Sequence, residues 1–223
     1  MLWSAERAVV TGSSSGIGKA LVEALTARGA RVAHCSRRGT GGGVACDVRD
    51  EAQVAAFAER VLHDLGTPTI VVNNAGIGKF APVAEMTLET WDAVIDTNLR
   101  GMFLVTRAFL PAMLAAGRGM IVNIASSAAR NGREGGGAYS ASKHGVLGFS
   151  KSLMLEVRKK NLRVLAVCPG SVDTDFWSDP GIPAISADRM LKPEDVAQIV
   201  LDTIALPERA MVSELDIRPT NPG

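Results

Sequence analysis

Ala8-Val9-Val10-Thr11-Gly12-Ser13-Ser14-Ser15-Gly16-Ile17-Gly18 decides the fold of this chain. Its first half is a short β-branched run of the kind that suits a buried strand. Its second half is a glycine-rich turn, after which Ile17, Leu21 and Leu25 recur at helical spacing until Gly29 stops the helix. Strand, glycine turn and helix in that order open a parallel βαβ unit. Glycine lets the backbone turn sharply and approach a ligand closely, while a helix N-terminus offers free N–H groups and a favourable dipole to an anion. That context suits the pyrophosphate of a dinucleotide.

The same alternation runs through the rest of the chain. Strands are expected at Val32–Cys35, Val44–Cys46, Ile70–Val72, Met120–Ile124, Val164–Val167 and Met211–Ile217. Between them lie helical patterns, one carrying Val54, Phe57, Val61 and Leu65. Another runs from about Leu88 to Ala116, broken or bent near Gly101, and a third from Tyr139 to Lys160. Lys192-Pro193-Glu194-Asp195 opens a last helix, with proline early and acids in its first turn. Continuous apolar strands alternating with helices predict a Rossmann-type, doubly wound parallel sheet of about seven strands, covered on both faces. No repeat or linker divides it, so residues 1–223 are expected to form one α/β domain with a short lid at about 174–192.

Composition narrows the function classes. Hydrophobic residues make up 47% and charged residues 21% of 223, the balance of a globular protein. A net charge of +1 without a run of one sign gives no basic or acidic face for nucleic acid or a membrane surface. Met1-Leu2-Trp3 is followed by polar Ser4-Ala5-Glu6-Arg7, and no uncharged apolar run reaches the length of a span, so a cytoplasmic protein is expected. Cys35, Cys46 and Cys168 are odd in number and sit in apolar segments, which reads as buried reduced thiols. His34, His63 and His144 lack partners at ligand spacing, so no metal is expected.

Tyr139 and Lys143 are four residues apart and would share one face of a helix. A free phenol, with a pKa near 10, is a poor acid–base group at neutral pH, and a neighbouring ammonium favours its phenolate. With the Gly-x-x-x-Gly-x-Gly turn and Asn73-Asn74-Ala75-Gly76 after the fourth strand, the chain resembles the short-chain dehydrogenase/reductase family from Ala8 to about Ala205. The resemblance implies a nicotinamide dinucleotide, bound at its pyrophosphate by Gly12, Ser14, Ser15, Gly16, Ile17 and Gly18. It further places Asp47 and Val48 at the adenine, Asn73 through Asn74, Ala75 and Gly76 beneath it and the ribose, and Pro169, Gly170, Val172 and Thr174 at the nicotinamide carboxamide.

Cofactor choice is read at the end of the second strand, where an acid would bind a free ribose 2′-OH and repel a 2′-phosphate. The sequence there is Cys35-Ser36-Arg37-Arg38, with no acid. Ser36, Arg37 and Arg38 can donate to phosphate oxygens, so NADP(H) is expected and NAD(H) is the alternative. Ser15 stands where relatives commonly carry a second basic residue.

By the same resemblance, the catalytic set is Asn98, Ser126, Tyr139 and Lys143. Hydride transfer between nicotinamide C4 and a carbonyl or secondary alcohol leaves one proton to be moved. Tyr139 would move it as general acid or base, Ser126 would steady the developing charge on oxygen, and Lys143 would depress the tyrosine pKa and hold the ribose. Asn98 would fix a water leading from Lys143 to solvent. Read without the family, Ser127 rivals Ser126, and Asn98 could as easily satisfy a helix break at Gly101.

Substrate signals are weaker. Phe176, Trp177, Ile182 and Ile185 are apolar candidates for the lid, and Arg130-Asn131-Gly132-Arg133-Glu134 could meet a polar substrate or form a solvated loop with a local ion pair. Trp91 and Phe109 are expected in the core or in subunit contacts. The tail, Ser213 to Thr220, departs from the Gly-Gly tail of 3-oxoacyl-carrier-protein reductases, which argues against a role in fatty-acid synthesis. A small-molecule carbonyl or alcohol is the expected partner. Ala141, Gly145, Gly148 and Ser152, with Leu155 beyond, form a small-residue stripe opposite Tyr139 and Lys143, which suits a homodimer or homotetramer or else packing within the chain. The competing function is a dinucleotide-sensing regulator that has lost catalysis; the complete set of four residues argues against it.

Overall fold

The computed structural model describes residues 2–178 and 186–221. In chain order it runs β1 (Arg7–Thr11), α1 (Gly16–Ala27), β2 (Arg31–Ser36), β3 (Val44–Ala45), α2 (Glu51–Asp64) and β4 (Ile70–Asn73). It continues with α3 (Leu88–Ile95), α4 (Gly101–Ala116), β5 (Gly119–Ile124), α5 (Gly137–Val157), β6 (Leu162–Pro169), α6 (Pro193–Ile204) and β7 (Glu214–Ile217). All seven strands pair in parallel in the order β3-β2-β1-β4-β5-β6-β7. This is the expected doubly wound sheet.

Strand residues alternate between two cores because successive side chains leave opposite faces. Ala8, Val10, Ile70, Val72, Met120 and Val122 meet Leu21 and Leu25 of α1 and Val196 and Val200 of α6. Val9, Val71, Ile121 and Val164 meet Phe57 of α2, Leu104 and Phe109 of α4 and Leu153 of α5. Leu21 and Leu25 are fully buried, so truncating either to alanine would cost about 2–5 kcal/mol. Helix starts follow from local chemistry. Asp50 accepts from the backbone N–H of Ala52 and Gln53 to cap α2, and Asp195 Oδ2 accepts from Lys192 N at 2.8 Å to close the first turn of α6.

The bend expected near Gly101 takes a specific form. A π turn, Asp96–Arg100, joins α3 to α4, so Leu88–Ala116 forms one 29-residue helix. Such turns insert a residue into the helical ladder and recur at functional sites. By length and mean hydropathy (1.4) this helix could cross a membrane; here Leu104, Val105, Phe109 and Met113 are buried against the domain. Phe109 thus belongs to the core, while Trp91 is 40% exposed on α3. The three cysteines are buried and free. Of the lid, Asp175–Ser178 and Ala187–Arg189 form single 3₁₀ turns; Ile182 and Ile185 lie outside the described residues.

Candidate active site

A cavity of about 1030 Å³ opens along the carboxyl ends of the strands, from the glycine turn to Tyr139. The switch point between β1 and β4 lies beneath it, where a doubly wound sheet binds its ligands. At one end, Gly12 and Gly16 adopt left-handed φ values of 69° and 53°. A Cβ at Gly12 would stand 2.7 Å from Ala75 Cα, and one at Gly16 would stand 2.9 Å from Thr174 Cγ2. The turn therefore packs under the Asn74-Ala75 loop and the segment after β6. Ser15 precedes α1 without a side-chain cap, so the first N–H groups of the helix remain for a ligand.

Asn74 staples this end together. Its Nδ2 donates to the carbonyls of Thr11 (3.0 Å) and Gly12 (3.1 Å), and Thr11 Oγ1 accepts from Asn74 N and Ala75 N. Asn73 instead turns into the core, where its Nδ2 donates to Thr106 and Asn123, so the floor begins at Asn74. Gly18 also departs from expectation as a ligand contact. It is buried, and a Cβ there would overlap the Gly12 carbonyl, so it closes the helix on the turn without lining the cavity.

At the end of β2, Ser36 and Arg37 line the cavity, whereas exposed Arg38 does not. Ser36 Oγ is buried without a hydrogen-bond partner among the described residues. A buried hydroxyl without a partner carries a desolvation cost, which a phosphate oxygen at this position would relieve. Asp47 and Val48 also line the cavity. The Asp47 carboxylate takes 3.0 and 2.6 Å hydrogen bonds from Arg49, whose guanidinium holds its pKa below the ordinary carboxylate value. The glycine cradle, the uncapped helix and the orphaned Ser36 hydroxyl fit a dinucleotide phosphate chain.

At the other end, Ser126 follows β5 and caps a 3₁₀ turn, accepting from Ala128 N at 3.1 Å. Its hydroxyl lies close enough to the phenol of Tyr139 to favour the ionised form of that group. Ser127 lines the cavity too, but Ser126 is the serine at Tyr139, which separates the two rivals. Tyr139 is half-buried in an aromatic cage, 5.7 Å from the ring of Phe80 and 5.2 Å from that of Phe176. Gly78 makes room for both rings, since a Cβ there would overlap Phe176.

Lys143 is buried, donates to the Ile124 carbonyl at 2.8 Å and stands 5.8 Å from the Tyr139 ring centroid. Burial lowers its pKa to about 8. The expectation that Lys143 depresses the tyrosine pKa needs correction in the free chain. Burial raises Tyr139 above the ordinary phenol value, and the groups opposing that rise are the Ser126 hydroxyl and the charge of Arg133. Both groups are desolvated, and their distance limits what one can do to the other.

Asn98 sits in the π turn, buried behind the cavity. Its Oδ1 accepts from Ile77 N at 2.8 Å, and its Nδ2 donates to Ile77 O at 2.9 Å and Ser142 Oγ at 3.0 Å. The carboxamide therefore ties the distorted helix to the loop after β4 and to α5. A Cβ at Gly76 would lie 3.3 Å from Asn98 Oδ1 and 3.6 Å from Lys143 Nζ, which places the two side chains around the same glycine.

Some lining residues carried little or no readable signal in the sequence, Arg133 only as part of a stretch that could meet a polar substrate or be solvated. Lys79 and Phe80 come from the loop after β4, where no periodicity marks a role, and Arg133 from a glycine-rich loop. The segment 130–134 divides: Arg130 pairs with Glu214 and Asp216 of β7, while Arg133 turns to the cavity. Gly170 N donates to Ile217 O at 2.8 Å, anchoring the Pro169–Thr174 segment along the cavity.

The chain matches known proteins along nearly its whole length. It is 44% identical to a putative ketoacyl reductase of the granaticin polyketide synthase of Streptomyces violaceoruber, over 75% of this chain and 68% of that protein. A metagenomic short-chain oxidoreductase solved in complex with NADP superimposes with a TM-score of 0.83 at 37% identity, covering 99% of each chain. The 3-ketoacyl-(acyl-carrier-protein) reductase of Brucella melitensis, solved with NADH, superimposes with a TM-score of 0.91 at 27% identity over 99% of this chain and 100% of that one. Ketoacyl reductases are thus among its relatives despite the different tail. The family model described as short chain dehydrogenase matches residues 6–181, and the chain belongs to that family of oxidoreductases.

Proposed function

We propose that the protein is an NADP(H)-dependent reductase of carbonyl compounds, or dehydrogenase of the corresponding secondary alcohols, with Tyr139 as general acid and base. The observation that carries this reading is the convergence of Tyr139, Ser126 and Lys143 on one end of a cavity whose other end is a glycine cradle beside Ser36 and Arg37. The dinucleotide, when bound, supplies or accepts the hydride.

The chain's residues manage the rest. Gly12, Ser14, Ser15, Gly16 and Ile17 receive the pyrophosphate at the start of α1. Ser36 and Arg37 receive a 2′-phosphate through charge-assisted hydrogen bonds. Asp47, Val48, Ala75 and Gly76 bound the adenine and its ribose, and Pro169, Gly170, Val172 and Thr174 hold the opposite end. During reduction the Tyr139 phenol gives its proton to the substrate oxygen, while Ser126 donates to that oxygen and offsets its negative charge. Lys143 holds the nicotinamide ribose, and its lowered pKa lets it pass a proton onward. Asn98 positions the loop and helix on which Lys143 acts.

Purified protein should oxidise NADPH in the presence of a subset of aldehydes and ketones, with one alcohol formed per NADPH consumed. A broad carbonyl and alcohol panel without turnover, under conditions where NADPH binds, would favour a dinucleotide-sensing protein. We also propose a homodimer or homotetramer. The exposed part of the small-residue stripe on α5, at Ala141, Gly148, Ser152 and Leu155, supports it.

A further inference from the structure

Arg133 is a charge at the catalytic end to which the proposed reaction assigns no role. Its guanidinium lies 5.2 Å from the ring centroid of Phe80 and 5.8 Å from that of Trp177. It lines the same cavity as Tyr139. Among the described residues no carboxylate pairs with it, although Arg130, three positions earlier, is paired twice.

The placement is built into the backbone. Gly136 N donates to the Arg133 carbonyl at 3.0 Å, and Ala81 N donates to the Gly135 carbonyl at 2.9 Å, which locks the Arg133 turn to the Phe80 loop. A Cβ at Gly136 would stand 3.3 Å from both Arg133 Cβ and a Phe80 ring carbon, so glycine permits the close fit. Trp177 is oriented by its indole N–H, which donates to the Val172 carbonyl at 2.7 Å. Two rings thus hold one guanidinium whose fork of donors is unclaimed among the described residues. Phe80 also touches Tyr139, so a ligand reaching Tyr139 past Phe80 passes within reach of Arg133.

We propose that Arg133 anchors a carboxylate on the substrate, so that the preferred substrates are oxo or hydroxy acids with an apolar segment lying against Phe80 and Phe176. This rests on the carbonyl-reductase reading and deepens it. A guanidinium and a carboxylate match as a planar two-point pair, which a compact ammonium cannot reproduce. The aromatic faces keep the exposed arginine oriented, so its donor fork is held ready for a carboxylate. The charge also favours the Tyr139 phenolate, and a bound carboxylate would neutralise that influence as substrate arrives.

Binding separates this proposal from the question of turnover. Phenylacetate and its neutral isostere phenylacetamide are titrated calorimetrically into the free chain and into the chain saturated with NADP⁺. In both forms phenylacetate should bind at least tenfold more tightly than the amide. Arg133→Gln should reduce that ratio to about one, and Arg133→Lys, which keeps charge but loses the fork, should leave an intermediate ratio. Equal affinities for acid and amide in the unmodified protein would overturn the proposal without any variant. Retention of the full ratio in Arg133→Gln would also overturn it, by assigning the anion to another cation such as Arg37. If NADP⁺ fails to bind, the NADP(H) part of the reading falls, while the free-chain titration still decides the role of Arg133.

Discussion

Lys143 donates to the Ile124 carbonyl at 2.8 Å, tying the first half of α5 to the carboxyl end of β5. The ammonium is buried and has no carboxylate partner among the described residues, and its pKa falls to about 8 from an ordinary 10.5. The bond to one carbonyl does not replace the water lost on burial.

A pH dependence of stability follows. Below pH 8 both folded and unfolded states carry the proton, and the cost of burying the charge is present in full. Between about 8 and 10.5 the unfolded chain binds more protons than the folded one, so this group makes stability rise with pH, by roughly 3 kcal/mol over the window. The Cys35 thiol, raised by its neighbour Cys46 and by burial, and the Cys168 thiol and Tyr139 phenol, raised by burial, pull the other way in that range. Urea unfolding of parent and Lys143→Met from pH 7 to 10 isolates the lysine. The parent should gain on the variant as pH rises; a difference independent of pH would refute the lowered pKa.

Tyr139→Phe keeps the ring in its cage with Phe80 and Phe176 and removes only the hydroxyl that faces Ser126. Turnover should fall by about 10²–10⁴-fold, the range typical of a lost general acid or base. NADPH affinity, read by fluorescence titration, should change less than about threefold. Retention of most of the turnover would exclude Tyr139 as the proton donor.

The sheet, the glycine turn and the Tyr139–Lys143 pair were legible because each rests on local spacing: period two in strands, 3.6 in helices, glycine where the backbone turns. The bend near Gly101 was legible as a disturbance, but its π form was not, since it depends on Asn98 finding Ile77 and Ser142 across the fold. Arg130 and Arg133 looked alike in sequence. Only the distant strand β7 claims one, and only the rings of Phe80 and Trp177 claim the other. Asn73 and Asn74 differ for the same reason: adjacent residues at a strand end face opposite ways, one into the core and one to the turn.

Ser36 and Arg37 should set cofactor preference. Ser36→Ala removes a hydroxyl that has no partner among the described residues, so it should weaken NADPH by about tenfold and leave NADH unchanged, as loss of a hydrogen bond to a charged group implies. Arg37→Asp places a like charge at the 2′-phosphate and should reverse the order of affinities. Calorimetry in which the unmodified protein binds NADH as tightly as NADPH would contradict both expectations.

Gly148→Trp tests assembly at a position the fold leaves open. The expected stripe on α5 divides in the structure. A Cβ at Gly145 would stand 2.8 Å from Leu99 Cδ2, so that glycine is used for packing within the chain. A Cβ at Gly148 would meet nothing within 4 Å, and Ala141, Ser152 and Leu155 beside it are exposed. A tryptophan there is sterically free in an isolated domain and costs it little, since glycine is already a poor helix residue. Against a second helix held at the close distance that small residues allow, the same ring would force the two apart. Light scattering at micromolar concentration should therefore give a dimer or tetramer for the parent and a shift toward monomer for the variant, with unfolding stability within about 1 kcal/mol of the isolated-domain value. A parent that is monomeric, or a variant that assembles as the parent does, would remove this face of α5 as the interface.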